Sequence, residues 1–270
     1  MNKNFLLIVE GTKPEKNLFS RVFEKYGFNV IRQDIITIPN GDDIFKFDRT
    51  NFVGEKSNIV IINGPKNRIS EFINLFDGTI DSLDNLILDP FTLFAGVFLI
   101  YDVDHTSKEK LEKMFDKFQN ETDNGLLLVS SPCIEILGDT DRKEEIKVNH
   151  LEEYKKERNN WATNQKLSSY QDYLINNFEK LALYYLDKNT IDSGNNNVMD
   201  HPSYVIEMIN NCNERKYIDN AHQPVIYRYF TTVVYVCVAF INGLTKDINN
   251  VEIVKQFFER YKNDGLVNHI

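Results

Sequence analysis

With 270 residues, 42% hydrophobic and 26% charged, the chain has the make-up of an ordinary globular protein, enough for one large core or two modest ones. Its formal net charge of −9 argues against passive coating of nucleic acid, although an acidic metal site reaches phosphate through its cations and needs only a local basic rim. The three cysteines, Cys133, Cys212 and Cys237, lie far apart without CxxC or Cys/His clustering. That excludes a zinc module and a disulfide framework and points to a reducing cytoplasm.

The first element, NFLLIVEG, reads as a core strand, its apolar run too short for a signal peptide. KPEKNLFSRVFEKYG follows as a helix, with Leu18, Val22 and Phe23 on one face and Gly27 near its stop. NVIRQDIITIP is β-rich and ends at Pro39; NIVIING is a short apolar strand, and NRISEFINLF is helical. AGVFLIYDVD, the helix SKEKLEKMFDKFQ and the strand GLLLVSS complete the series. Continuous apolar strands alternating with helices predict an α/β domain, a parallel sheet covered by helices, over residues 1–143.

From residue 144 to 270 the pattern predicts a mainly helical C-terminal domain or extension. HLEEYKKERNNWATNQKLSSYQDYLINNFEKLALYYLDKN carries an apolar 3.6-residue period, and a polar break, DSGNNNVMDHP, precedes further helical segments. TTVVYVCVAFI, the most apolar late stretch, is well short of a membrane span and reads as a buried helix, with a strand as the alternative given its valines, so no membrane association is expected. KKERNNW reads as a surface helix burying one aromatic, with stacking on nucleic acid as the alternative. INGPKNR lacks the second glycine and the Lys-Ser/Thr ending of a phosphate loop, leaving Lys66 and Arg68 only as rim candidates.

Two strand ends carry acids where an open parallel sheet binds its ligands, beyond the carboxyl ends of the strands. Glu10 follows four apolar residues directly, with Gly11 allowing a tight turn. Asp102 and Asp104 stand two apart, so in an extended strand they project to the same side and repel. A divalent cation relieves that repulsion, and oxygen-only donors suit Mg²⁺ or Mn²⁺.

These motifs resemble those of Toprim domains, the metal-binding catalytic core of topoisomerases, bacterial primases and OLD-type nucleases. The matching residues are Glu10-Gly11 after the first strand and Asp102-Val103-Asp104 after a later one. The chain is more closely similar to RloB-like Toprim proteins of bacterial anti-phage defence loci, which carry an EGxxTE-like opening and an S-x-P-x-F-E element. Here these read EGTKPE (10–15) and SSPCIE (130–135), with Pro14 where the family has Thr and Ile134 where it has Phe. The resemblance covers residues 5–137. There is no room for a topoisomerase's DNA-gating domain, and the cysteines do not build a primase's zinc module.

The resemblance implies a metal-dependent nuclease cutting DNA or RNA, tRNA included, as effector of a defence system. Glu10, Asp102 and Asp104 would hold one or two Mg²⁺ or Mn²⁺ ions, with Glu15 as a further ligand. Ser130 and Ser131 would bind phosphate, Glu135 would add an acid, and His105 would assist proton transfer or touch substrate. A partner ATPase and a homo-oligomer fit the same picture. The alternative is a non-catalytic interaction or sensor subunit working with such an ATPase. Plainer roles stand beside the functional ones: Glu15 favouring its helix N-terminus, Glu135 pairing with a lysine, His105 capping the helix at Ser107, and Cys133 as a small buried residue.

Overall fold

The computed structural model describes residues 3–10, 14–25, 27–34, 36–37, 43–44, 56–63, 94–103, 108–120, 125–131, 133–140, 145–148, 151–178, 180–182, 184–185, 225–228, 230–234 and 236. Its centre is a run of five parallel strands in the order β2-β5-β1-β6-β8, flanked by helices, which is the α/β architecture expected from the sequence. These strands are β1 (Asn4–Val9), β2 (Asn29–Asp34), β5 (Asn58–Asn63), β6 (Gly96–Asp102) and β8 (Gly125–Ser131). All seven residues of β6 and of β8 are buried, as a strand covered on both faces requires. Between β2 and β5, β3 (Ile36–Thr37) and β4 (Asp43–Ile44) form a small antiparallel pair.

Helix α1 (Pro14–Lys25) connects β1 to β2. Proline suits the first helical position, where its missing N–H has no intrahelical partner to lose. Leu18, Phe19, Val22 and Phe23 are buried on one face, and the Phe19 and Phe23 rings stack at 6.1 Å between centroids. The helix ends in a Schellman motif: Gly27 at φ +85° donates to the Glu24 carbonyl at 3.0 Å, and Phe28 to the Phe23 carbonyl at 3.1 Å. Helix α2 (Lys108–Lys117) follows β6, and β7 (Gln119–Asn120) turns back against the start of β8.

The amino ends of β1, β5 and β2 are tied by a row of asparagines. Asn4, Asn58 and Asn29 stand in register across the three strands. The Asn58 amide donates to the Asn4 carbonyl oxygen at 2.9 Å, and the Asn29 amide donates to that of Asn58 at 2.6 Å. A one-residue slip of either neighbour would separate these amides and turn the apolar side chains to the wrong face.

By density of packing the chain falls into two units, residues 1–101 with 113–127, and residues 102–112 with 128–270. In the second, helices α3 (Leu151–Asn164) and α4 (Tyr170–Asn176) bear out the helical reading of that stretch. The Ser169 hydroxyl caps α4 by accepting from the Asp172 N–H at 3.0 Å. Trp161 lies edge-on to Tyr173 and Tyr170, at 4.9 and 5.9 Å between centroids, as expected for a packing aromatic.

Past the helices the structure departs from the sequence reading. VIYR is a strand, β10 (Val225–Arg228), paired antiparallel with β9 (Glu145–Val148). Phe230–Thr231 is β11, which adds antiparallel to β8. Valines and aromatics favour the extended form once a partner strand is available, and the partners here lie about 80 to 100 residues back in sequence, out of reach of a local period. Among the described residues no helix is long and apolar enough to cross a membrane. The segments NRISEFINLF, DSGNNNVMDHP and most of TTVVYVCVAFI, with Lys66, Arg68, Cys212 and Cys237, lie outside the described residues.

Asn58 is buried and serves both neighbours. Asn58→Ala should lower stability by about 2 kcal/mol, two hydrogen bonds lost with amides left behind, while Asn29→Ala should cost less. Urea unfolding of both variants checks this; equal and negligible effects would remove the asparagine row from the account.

Candidate functional site

The β1 strand supplies Glu10. Phe5 to Val9 are at most 3% exposed, so the strand is fixed by its own core. It pairs in parallel with β6, Val9 opposite Ile100. The next N–H, that of Glu10, donates to the Ile100 carbonyl at 3.2 Å. Glu10 is itself only 5% exposed. Glu15, in the first turn of α1, is buried to the same degree, where the helix N-terminus favours its negative charge.

Asp102 is the last residue of β6, two positions beyond Ile100, and is also 5% exposed. The sheet continues past it, for the Val103 N–H donates to the Ser130 carbonyl at 2.9 Å. Asp104 and His105 come next in sequence and lie outside the described residues.

Strand β8 ends in the two predicted serines, and they differ. The Ser130 hydroxyl is fully buried and hydrogen-bonded to the Thr231 hydroxyl at 2.9 Å, where it fastens β11 to the sheet. The backbone around it does the same: the Thr232 N–H donates to the Val129 carbonyl at 2.8 Å, and the Val129 N–H to the Thr232 hydroxyl at 2.9 Å. The Ser131 hydroxyl is buried with no hydrogen-bond partner among the described residues.

After β8 the chain winds into a 3₁₀ turn, Ile134–Gly138, whose first turn carries Glu135. Its carboxylate stands 3.9 Å from the Lys155 ammonium of α3, so the lysine-pairing role is realised. That pair is half-exposed on the lysine side and contributes little to stability. Cys133 is completely buried, and its thiol pKa is pushed up, first by burial and then by the negative charges of Glu135 and Asp102, with Lys155 opposing. Asp102, Glu135 and Lys155 therefore all act on the same thiol. A protonated, inaccessible thiol is a packing group rather than a nucleophile.

Three residues hold this turn, of which only Arg158, within KKERNNW, falls in a stretch that the sequence singles out. Asp139 directly follows the turn and is buried; Tyr154 donates to one of its carboxylate oxygens at 2.6 Å and Arg158 to the other. Arg158 also lies over the Tyr154 ring. In sequence Asp139 sits within the polar run GDTDR and looks like a loop residue. Only its partners on α3 reveal it.

The donors at the ends of β1 and β6 are carboxylates, which fit Mg²⁺ or Mn²⁺ and not a thiolate-bound metal. Among the described residues no three His, Cys, Asp or Glu side chains stand together as a metal-ligand set. Comparison of the chain with protein-family models, with curated proteins and with solved structures gives no match.

The raised Cys133 pKa fixes a sign for the alkaline limb of stability. The folded thiol keeps its proton while the unfolded one gives it up, so its contribution is fully present below the ordinary thiol range and is lost as pH rises from there toward the folded pKa. Wild type should lose up to about 1.4 kcal/mol per pH unit more than Cys133→Ala between about pH 9 and 10. Parallel urea midpoints for the two proteins over that interval would contradict it.

Proposed function

We propose that this chain is a divalent-metal-dependent nuclease acting on phosphodiester bonds in DNA or RNA. The observation that carries the reading is the parallel pairing of β1 with β6, which sets the strand preceding Glu10 beside the strand ending in Asp102. Had those strands occupied opposite edges of the sheet, the reading would have had no basis. Both acids are also buried.

In this reading Glu10, Asp102 and Asp104 hold one or two Mg²⁺ or Mn²⁺ ions, with Glu15 contributing from α1. The bound metal would polarise the phosphodiester and activate water. The chain's own part is to keep Glu10 and Asp102 fixed at the ends of buried strands. Glu135, on the element that follows β8, and Lys155, on α3, stand 3.9 Å apart and both act on the Cys133 thiol. Service as the effector of an anti-phage system, with a partner ATPase and as a homo-oligomer, rests on the Toprim resemblance alone.

Plasmid DNA, total RNA and tRNA incubated with Mn²⁺, Mg²⁺ or EDTA, each with wild type, Asp102→Asn and Glu10→Gln, test this. Cleavage should require the cation and fall at least about 100-fold in either variant, matching the several kcal/mol that a metal supplies to a charged transition state. Cleavage that survives both substitutions would remove the catalytic claim. A wild type inert on every polymer would favour the interaction-subunit alternative.

A further inference from the structure

The turn that carries Glu135 is held from outside as well as by its own hydrogen bonds. It is five residues of 3₁₀ helix, Ile134–Gly138, with hydrogen bonds of its own from Ile136 to the Cys133 carbonyl at 3.1 Å and from Asp139 to the Ile136 carbonyl at 2.9 Å. Short 3₁₀ turns have poor hydrogen-bond geometry and are readily re-formed by their surroundings. Here the surroundings are tyrosines. The Tyr170 hydroxyl donates to the Glu135 carbonyl at 2.9 Å, and the Tyr185 hydroxyl donates to the Ile136 carbonyl at 2.6 Å. The Tyr154 hydroxyl holds Asp139, the residue just past the turn, at 2.6 Å.

We infer that Tyr170 and Tyr185 are positioning residues of the site, with hydroxyls that grip successive carbonyls of the turn and so fix where the Glu135 carboxylate stands. Two features make this a built arrangement. The first is fit: a Cβ placed on Gly138 would meet the Tyr170 hydroxyl at 2.1 Å, so that position suits only glycine while the tyrosine is seated. The second is proton state. Burial, followed by the charge of Asp139, raises the pKa of both Tyr154 and Tyr170, so these hydroxyls remain donors.

The consequence reaches the C-terminal half of the chain. All three tyrosines lie between residues 151 and 185, beyond the stretch that resembles Toprim domains. That segment is thus a brace for the SSPCIE element, and its loss would displace Glu135 even with every acid intact. The catalytic consequence rests on the nuclease reading; the brace itself does not.

Cys133 is a reporter built into the same turn. It is fully buried in the folded chain and immediately precedes Ile134, so its modification by a thiol reagent measures opening of the turn. The experiment compares wild type, Tyr170→Phe, Tyr185→Phe and the double variant, reading labelling at the Cys133 peptide by mass spectrometry. Phenylalanine keeps the ring packed and removes only the hydroxyl. A Phe23→Leu variant in α1, far from the turn in sequence, is chosen to match the fall in thermal midpoint. The double variant should label Cys133 about tenfold faster than that control, as two released carbonyls permit local opening. Labelling no faster than in the control, in the single and double variants alike, would overturn the inference.

Cleavage kinetics give the second arm. The tyrosine variants should lose kcat by about tenfold with KM and the cation concentration for half-maximal rate unchanged, since a misplaced group costs the transition state and not ground-state binding. A rise in KM with kcat intact would overturn the positioning role. If wild type cleaves nothing, the nuclease reading fails while the labelling arm still decides the brace.

Discussion

The backbone hydrogen bond from Glu10 to Ile100 joins the order of the strands to the chemistry at their ends. It extends the β1–β6 ladder by one residue past Val9, and so fixes the register at which β1 gives way to its acid. A parallel neighbour one residue out of step would shift Glu10 relative to the end of β6. The asparagine row at the opposite ends of β1, β5 and β2 serves the same register, since Asn4 and Asn58 are aligned through the pairing that also aligns Val9 with Asn63. Register is set at both ends of β1, and what depends on it is where a buried carboxylate emerges.

Much of this was legible because parallel, doubly covered strands leave a strong trace. FLLIV, IVII, GVFLIY and GLLLV are continuous apolar runs, each of them a strand of the sheet. Pro14 and Gly27 mark the two ends of α1 by mechanisms that operate on the residue itself, a missing donor and a positive φ. Order in the sheet was a different matter. That β1 lies between β5 and β6 follows from packing, and periodicity says nothing about neighbours.

What escaped the sequence were interactions between distant polar residues. Asp139 is read as loop until Arg158 and Tyr154 meet it, 19 and 15 residues later. Ser130 looked like a free hydroxyl at a strand end, yet Thr231, 101 residues on, occupies it. Short strands β10 and β11 were hidden for the same reason, their partners being remote. Sequence alone offers two roles for Glu135, and the structure supplies the lysine of the plainer one, 3.9 Å away on α3.

The account turns on whether a divalent cation sits at the ends of β1 and β6. Replacing Mg²⁺ by Fe²⁺ and adding ascorbate and peroxide generates radicals that cut the backbone only beside the bound ion, and mass spectrometry maps the cuts. The account predicts cuts flanking Glu10 and Asp102, suppressed by excess Mg²⁺ and absent in Asp102→Asn. Cuts elsewhere, or an identical pattern in that variant, would contradict it.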